Sequence, residues 1–236
     1  IMFGLYKRTT SFFENSPLKA VGTPMAQELA LLESFRATLP ASVFGEVYVP
    51  PVGDGSGNDR ALLRRADELF RAAGCKREGA VLKLPNGKPF EIEFLDFQAT
   101  LQPHTQPFQS NLKRLGIAAT SRIVDAAQYR RRMDEFDFDM ASQALGGSPL
   151  PGDSLKIVYG SEAARTNGTR NIAGIASPAV DAMLDRIANA THRADLTTAC
   201  SALDRVLRSG HYWVPMWWNP ALWIAYWDMY ERPVTE

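Results

Sequence analysis

The sequence has few of the residues on which metal and redox chemistry depend. Its 236 residues include two cysteines and three histidines, all widely spaced. Cys75 and Cys200 belong to no CxxC or Cys/His cluster, and His104, His192 and His211 lack the spacing of metal ligands. We therefore expect no metal or other cofactor. Two buried thiols are the simpler interpretation of the cysteines, and a disulfide between them stays the alternative.

An excess of one charge and long apolar runs are also missing. Lys and Arg total 26, as do Asp and Glu, so the formal net charge is zero and no global basic field attracts nucleic acid or anionic lipid. No apolar run approaches the roughly 18 residues that a membrane-spanning helix needs. The sequence does not open with a charged start, an apolar core and a small-residue cleavage site, so we expect no signal peptide within it.

Signatures of nucleophilic and phosphate chemistry are equally scarce. No GxSxG motif supports a serine nucleophile, and the glycine-rich run at 53–58 has no preceding strand and no following Lys-Ser/Thr. Asp137 and Asp139 are two residues apart on a predicted strand, so both would face the same side and could act as paired acids. A hydrolase or transferase that uses these two carboxylates is therefore kept as an alternative to a binding protein.

The stretch 108–140 predicts a helix, a strand, a second helix and a second strand in close succession. An amphipathic segment ends at Gly116, a run rich in β-branched residues follows at 117–124, and Asp125 is suited to cap the second helix. Apolar residues then alternate with aspartates at 136–140, the period of a half-buried strand. Two strands joined by a helical crossover form an α/β unit, and ligands of open α/β sheets bind where strands end.

The rest of the chain predicts further helices around this unit. Residues 81–97 are expected to form a β-hairpin that turns at Asn86-Gly87. All five tryptophans fall within 211–230, which predicts two extended strands broken at Asn219-Pro220. The predicted helices lie at 25–39, 60–73, 177–187 and 194–207.

Two loops have residue compositions that favour ligand binding. The loop at 145–153 holds three glycines, which allow backbone N–H and C=O groups to approach a ligand closely. The loop at 165–175 adds Arg170 and Asn171, whose side chains can pair with carboxylate or amide groups. Plain turn chemistry is the commoner explanation of such compositions, so both interpretations stay open at this point.

Ordered motifs along almost the whole chain resemble one family. They include FGLYKRTTSFFENS near the start, LKRLGI, VDAAQYRRR and FDFDM in the centre, GTRNIAGI, and HYWVPMW near the end. These motifs resemble the family 5 extracellular solute-binding proteins, the periplasmic receptors that hand oligopeptides to ABC importers, and within them the YejA-like branch. The resemblance implies an α/β fold, namely a periplasmic-binding-protein-like (type II) lobe with a mixed sheet flanked by helices.

The same resemblance implies a division of the chain and a function. Residues 1–210 would form the second, C-terminal lobe, and 211–236 a Trp-rich segment that returns toward a first lobe missing from this chain. The receptor would capture oligopeptides, including modified peptides of the microcin type, by hinge closure in the periplasm. Its partners would be the permease subunits of the importer in the inner membrane. We expect a monomer in the full-length form and no nucleic-acid partner.

The predicted ligand contacts combine the loops with the resemblance. Many receptors of the family carry W-x-A-D-Y after the D-M strand, where the Asp holds the ligand's α-amino group, whereas residues 144–148 here are ALGGS, without a carboxylate. A partner-binding module that presents the Trp-rich segment is the third hypothesis. The residues predicted to contact ligand are Ser11, Phe12, Gln143, Gly146, Gly147, Ser148 and Asn171.

Overall fold

A three-stranded parallel sheet forms the centre of the α/β part of the chain. The structure is a computed structural model that describes residues 4–221, 225, 227 and 229. Strand β4 (Glu91–Asp96) lies between β5 (Ala118–Ile123) and β6 (Met140–Ala141) and pairs in parallel with both. Because the three strands run in the same direction, their carboxyl ends meet at one edge of the sheet.

Helices α3 (Gln102–Arg114) and α4 (Ala126–Asp134) provide the connections between these strands. The predicted end of the first helix is confirmed, since Gly116 adopts a φ of +86° just after it, a conformation that suits glycine. The predicted cap of the second helix is confirmed too, because the Asp125 carboxylate accepts a hydrogen bond from the N–H of Gln128 at 2.9 Å. Helix α3 begins well before the predicted residue 108.

The last strand of the predicted unit is much shorter than expected. The alternation at 136–140 predicted a strand, but only β6 pairs with β4. Phe136 has a φ of +58°, and its N–H donates to the carbonyl of Met133 at 3.3 Å. At this point the chain is therefore still in the turn that ends α4. In the sheet, the neighbour of β6 is β4 and not β5.

The predicted hairpin at 81–97 is confirmed around its turn only, where Lys83 forms an antiparallel bridge with Pro89 and the N–H of Phe90 donates to the carbonyl of Leu82 at 2.9 Å. Strand β3 (Val81–Lys83) pairs antiparallel with β2 (Lys76–Glu78), the segment before it. The Asn86-Gly87 turn does form, with the N–H of Gly87 donating to the carbonyl of Leu84 at 2.8 Å. The chain then continues into β4, whose strand partners are β5 and β6. The turn propensity of the Asn-Gly pair predicted the position of the turn correctly. The strand partners of β4 could not be predicted in this way, because they lie far away in sequence.

A helical layer forms the largest core among the described residues. Helices α6 (Pro178–Ala188) and α7 (Arg193–Ser209) pack against each other, and α1 (Ala26–Leu32) packs on α7. Helix α1 is shorter than the predicted 25–39 because a 3₁₀ turn (Glu33–Phe35) replaces its second half. Helix α2 (Arg60–Ala72) agrees with its prediction and is capped by Asp59; α5 (Lys156–Tyr159) is a single turn.

The two ends of the described chain meet in a short ribbon. Strand β1 (Lys7–Arg8) pairs antiparallel with β7 (Trp217–Trp218), and the ring of Trp217 lies 4.4 Å from that of His104 on α3. Of the two extended strands predicted in the Trp-rich segment, the first is represented by β7, and most of the second lies outside the described residues. Cys75 and Cys200 are buried as free thiols in separate hydrophobic clusters. No helix in the described ranges has the length and apolarity to cross a membrane.

Candidate ligand-binding site

A small pocket lies at the carboxyl edge of the parallel sheet. It is a partly open depression whose space of about 300 Å³ includes solvent outside the protein, and all three strands and α3 contribute to its wall. Its polar groups come from Asp96 at the end of β4, Gln102 and Thr105 on α3, Ser121 on β5, and Ser142 directly after β6. The apolar part of the wall is formed by Phe94, Leu95, Ile123, Met140 and Ala141.

Asp96 occupies the middle of this edge. It pairs with Ile123 of β5, while Leu95 pairs with Ala141 of β6, so that Ser142 follows at the level of Asp96. The carboxylate is half-buried, and its Oδ1 accepts hydrogen bonds from the N–H groups of Phe97 (2.8 Å) and Gln98 (3.3 Å). This side chain therefore fixes the turn that leads into α3 with one of its two oxygens.

The wall opposite is held by a buried amide. Gln109 on α3 donates from Nε2 to Oγ of Ser121 at 2.8 Å, and the rings of Phe94 and Phe108 pack edge to face, 5.9 Å apart. These contacts fix α3 against the sheet, so the pocket has a defined shape.

The loop that leaves this edge carries four of the predicted ligand residues. Gln143, Gly146, Gly147 and Ser148 are all exposed, and they follow the pocket residue Ser142 without a break. A Cβ added at Gly146 or Gly147 would meet nothing within 4 Å, so the backbone there is open to a ligand. The far end of the loop is held where Arg193 Nη1 donates to the carbonyl of Pro149 at 2.9 Å.

Ser11 and Phe12 lie elsewhere, in the helical layer. The side chain of Ser11 is 5% exposed and donates to Oδ2 of Asp204 at 2.8 Å, while the N–H of Phe12 donates to Oδ1 of the same carboxylate at 2.9 Å. The ring of Phe12 packs edge to face on Tyr159, 5.8 Å away. Both residues are thus engaged within the chain, and the structure does not bring them to the pocket.

Asn171 is also engaged within the chain. It is fully buried, its Nδ2 donates to the carbonyls of Gly160 (2.9 Å) and Ile175 (2.8 Å), and its Oδ1 accepts from the N–H of Ile175 (2.9 Å). Because every polar atom of the amide is paired, its evident role is to hold the 165–175 loop. This geometry counts against the predicted ligand contact.

The alternative of paired catalytic acids loses its geometric basis. Residues 136–139 form no strand, so Asp137 and Asp139 do not share a strand face. Asp137 forms an ion pair with Arg132 at 2.8 Å, and Oδ2 of Asp139 accepts from the N–H of Glu93 at 2.9 Å. Each carboxylate therefore has a structural partner of its own.

Sequence reasoning missed two carboxylates. Asp96 was overlooked because it closes a predicted hairpin strand, and its position at the sheet edge appears only once β4 is known to be central. Asp204 was overlooked because a charged residue on a helix is usually solvated. Burial raises the pKa of the Asp204 carboxyl, and hydrogen bonds from Phe12, Ser11 and Ala20 and the charge of Arg208 limit that rise.

Comparison with known proteins now identifies the family. Residues 1–167 match the bacterial extracellular solute-binding proteins, family 5 Middle. The chain belongs to this family. Its relatives place it in the YejA-like branch, as the sequence motifs indicated.

The relatives are similar over nearly the whole chain. A homologous protein of Brucella suis biovar 1 is 42% identical over 231 residues, which cover 98% of this chain and 38% of that protein. The YejA protein of Agrobacterium fabrum, named as a probable peptide-binding protein, is 36% identical, with 99% and 38% covered. YejA of Escherichia coli K12 is 35% identical, with 100% and 39% covered. The chain thus spans about two fifths of the length of these relatives.

Solved structures confirm the α/β fold. The oligopeptide-binding protein AppA of Bacillus subtilis, in complex with a nonapeptide, has a TM-score of 0.59 at 14% identity, covering 91% of this chain and 46% of AppA. A mannohexaose-bound periplasmic oligopeptide-binding protein of Thermotoga maritima has a TM-score of 0.60 at 17% identity, covering 88% and 41%. At such identities the likeness concerns the fold alone.

Proposed function

We propose that this chain forms the ligand-binding lobe of a periplasmic receptor that captures oligopeptides for an ABC importer. Membership of the solute-binding family supports this function, as does similarity to a YejA protein named as a probable peptide-binding protein. The observation that carries it is the exposed loop with Gly146 and Gly147, which leaves the sheet edge next to the Asp96 pocket.

The loop suits recognition of a peptide main chain. Residues 142–148 form no regular secondary structure, and from Gln143 to Ser148 they are exposed, so their N–H and C=O groups are available to an extended peptide. Hydrogen bonds to the main chain give affinity without fixing the side chains of the ligand. Modified peptides of the microcin type would be accepted for the same reason.

The remaining parts of the proposal concern the complete receptor. Residues 1–210 would act as the second lobe, 211–236 would return to a first lobe, and hinge closure of the two lobes would enclose the ligand. The receptor would work as a monomer in the periplasm and deliver peptides to the inner-membrane permease subunits. Ligand contacts of Ser11, Phe12 and Asn171 stay predictions, and the burial of Ser11 and Asn171 does not favour theirs.

Equilibrium binding of a peptide library to the complete receptor tests this function. We expect Gly147→Trp to weaken binding, because the indole would occupy the open side of the loop. Gly45→Trp is the matched control, since a Cβ there also meets nothing within 4 Å but the residue lies outside the proposed site. Asn171→Ala should lower stability more than affinity.

Two results would contradict the proposal. One is the absence of peptide binding by the folded wild-type receptor at any concentration that its solubility allows. The other is equal affinity of the wild type and the Gly147→Trp variant, which would remove the loop from the site even if peptides bind.

A further inference from the structure

We infer that Asp96 recognises a cationic group of the bound peptide, an ammonium supplied either by its amino terminus or by a lysine side chain. This inference rests on the proposed function and adds a specificity-determining residue to it. The group would enter the pocket at the carboxyl edge of the parallel sheet, with the rest of the peptide along the loop that follows β6.

The position of Asp96 is the first argument. It ends the central strand, lines the pocket, and lies at the level of Ser142, the residue directly before Gln143 and the exposed loop. A ligand that pairs with the loop backbone would therefore extend past this carboxylate. The pocket is small, which suits an ammonium group at the end of a chain better than a bulky ring.

The charge of Asp96 is the second argument. Its Oδ1 is engaged by two backbone N–H groups, but its Oδ2 has no hydrogen-bond partner within the described residues. Asp96 forms no ion pair in this part of the chain either, whereas Glu93 of the same strand is paired with Arg132 at 2.9 Å. The pocket thus holds a carboxylate oxygen without a partner in the described part of the chain, at the edge from which the exposed loop leaves.

The surrounding groups fit the same ligand chemistry. An ammonium has three donors and no acceptor, and Thr105 and Ser142 line the pocket with hydroxyl groups beside the carboxylate, together with Ser121, whose Oγ also accepts from Gln109. Tyr129 on α4 packs on Phe97, with ring centroids 5.0 Å apart, and does not line the pocket; burial and the charge of Asp96 raise its pKa. No lysine or arginine lines the pocket as described.

The test measures binding of four defined pentapeptides to the complete receptor by calorimetry. Each peptide is alanine except for a central lysine or norleucine, and each carries a free or an acetylated amino terminus. We expect the wild type to bind a peptide with a free ammonium at least about tenfold more tightly than the acetylated norleucine peptide, as a charge-assisted hydrogen bond allows. If the tighter binding follows the free amino terminus, the terminus is recognised. If it follows the central lysine, the side chain is recognised.

Two substitutions locate the preference. Asp96→Asn retains an oxygen that can accept from Phe97 and Gln98, so the turn should persist while the charge is lost. We expect it to reduce the preference to less than about threefold. Asp125→Asn is the control, because it removes one charge at the same sheet edge and keeps a good helix cap without lining the pocket. In the wild type, raising the salt from about 0.01 M to about 0.15 M should weaken only the cationic peptides.

The outcomes separate the two proposals. Loss of the preference in Asp96→Asn alone supports the inference. A preference that is absent in the wild type, or that survives in Asp96→Asn, overturns the role of Asp96, while continued binding of peptides leaves the proposed function standing. If the folded wild type binds none of the four peptides and no member of a wider library, the proposed function fails and this inference fails with it.

Discussion

Ser11 donates a hydrogen bond to Asp204 over 2.8 Å, although 193 positions separate the two residues in the chain. The same carboxylate accepts the N–H groups of Phe12 (2.9 Å) and Ala20 (3.1 Å) and a guanidinium N–H of Arg208 (3.2 Å). A fully buried charge is costly unless such partners surround it. Asp204 therefore joins the N-terminal segment to α7 at a point where water does not reach.

The first prediction concerns this junction. Ser11→Ala should lower the free energy of unfolding by about 1.5–3 kcal/mol, the range for a hydrogen bond to a charged group, because the buried carboxylate loses a donor. Ser110→Ala is the control: Ser110 is exposed on α3, where alanine is a good helix former. Urea unfolding of both variants measures the difference. Equal stability would show that Ser11 contributes little to the junction.

The second prediction compares a buried ion pair with an exposed ion pair, whose glutamates are close together in sequence. Glu28 pairs with Arg205 at 2.5 Å, with side chains only 3% and 1% exposed, whereas Glu33 pairs with Arg36 at 2.8 Å, with side chains 59% and 52% exposed. Removing one partner of a buried pair costs about 3–5 kcal/mol because a buried charge is left uncompensated, while an exposed pair contributes about 0–1 kcal/mol.

Glu28→Gln should therefore lower the unfolding free energy by several times more than Glu33→Gln. Chemical denaturation of the two variants, followed by circular dichroism, makes the comparison. A loss of less than about 1 kcal/mol for Glu28→Gln would mean that the contacts of Arg205 with the carbonyls of Val21 and Gly22 suffice to hold it.

Local chemistry made part of this structure predictable. Asp125 and Gly116 were identified correctly because a helix cap and a helix end each depend on a few neighbouring residues. The pattern at 136–140 misled, since apolar alternation predicts which residues are buried but not the positive φ at Phe136 that delays the strand. The types and spacing of the residues do not show that the turn at the end of the preceding helix extends into this segment.

The polar core of α7 was beyond such reasoning. Asp204, Arg205 and Arg208 are buried, yet on a helix of this composition charged residues are expected on the solvated face. Their partners lie on segments near the N-terminus, so the sequence around α7 gives no sign of them. In the same way, Asp96 became a candidate ligand-binding residue only after β4 was found between β5 and β6.

The third prediction is a pH dependence at Glu14. Burial alone would raise the pKa of Glu14, but hydrogen bonds from Thr10 and the hydrogen bond and charge of Lys19 outweigh it, so the pKa lies below its ordinary value of 4.5. A carboxyl with a lowered pKa in the folded state stabilises the fold above its unfolded-state pKa, and this contribution is lost as the pH falls through the folded-state pKa.

Glu14→Gln should thus be less stable than the wild type at neutral pH, by about 1 kcal/mol, and the gap should close as the pH falls below 4.5. Urea midpoints across the acid range provide the measurement. Glu46→Gln is the control for loss of a glutamate carboxylate, because Glu46 is exposed. A Glu14→Gln gap that widens in acid would reverse the assigned sign.

The fourth prediction concerns the reactivity of Cys200. Burial raises the pKa of its thiol to about 12, so little reactive thiolate forms near neutrality, and the surrounding core excludes reagents. We expect iodoacetamide at about pH 8, near the ordinary thiol pKa, to leave Cys200 unmodified in the native protein and to alkylate it in denaturant. Peptide mass spectrometry reads the result. Rapid native-state modification would mean that the core around α7 opens readily.

The fifth prediction separates two costs of adding a methyl group to a glycine. Gly116 and Gly87 have nearly equal φ values, +86° and +81°, but a Cβ on Gly116 would lie 2.8 Å from the carbonyl oxygen of Ala80 and 2.8 Å from the nitrogen of Leu82, whereas one on Gly87 would meet nothing within 4 Å. Both alanine variants should lose about 1–2 kcal/mol of folding stability, because alanine is strained in a left-handed conformation.

Only Gly116→Ala must also push β3 away from the end of α3, where the N–H of Leu82 now donates to the Gly116 carbonyl at 2.8 Å. We therefore expect it to lose more than about 2 kcal/mol of unfolding free energy and clearly more than Gly87→Ala, measured by urea denaturation under identical conditions. Because the backbone strain is matched, the difference between the two variants reports the steric term. Equal losses would mean that the β2–β3 hairpin yields to the added methyl group at little cost.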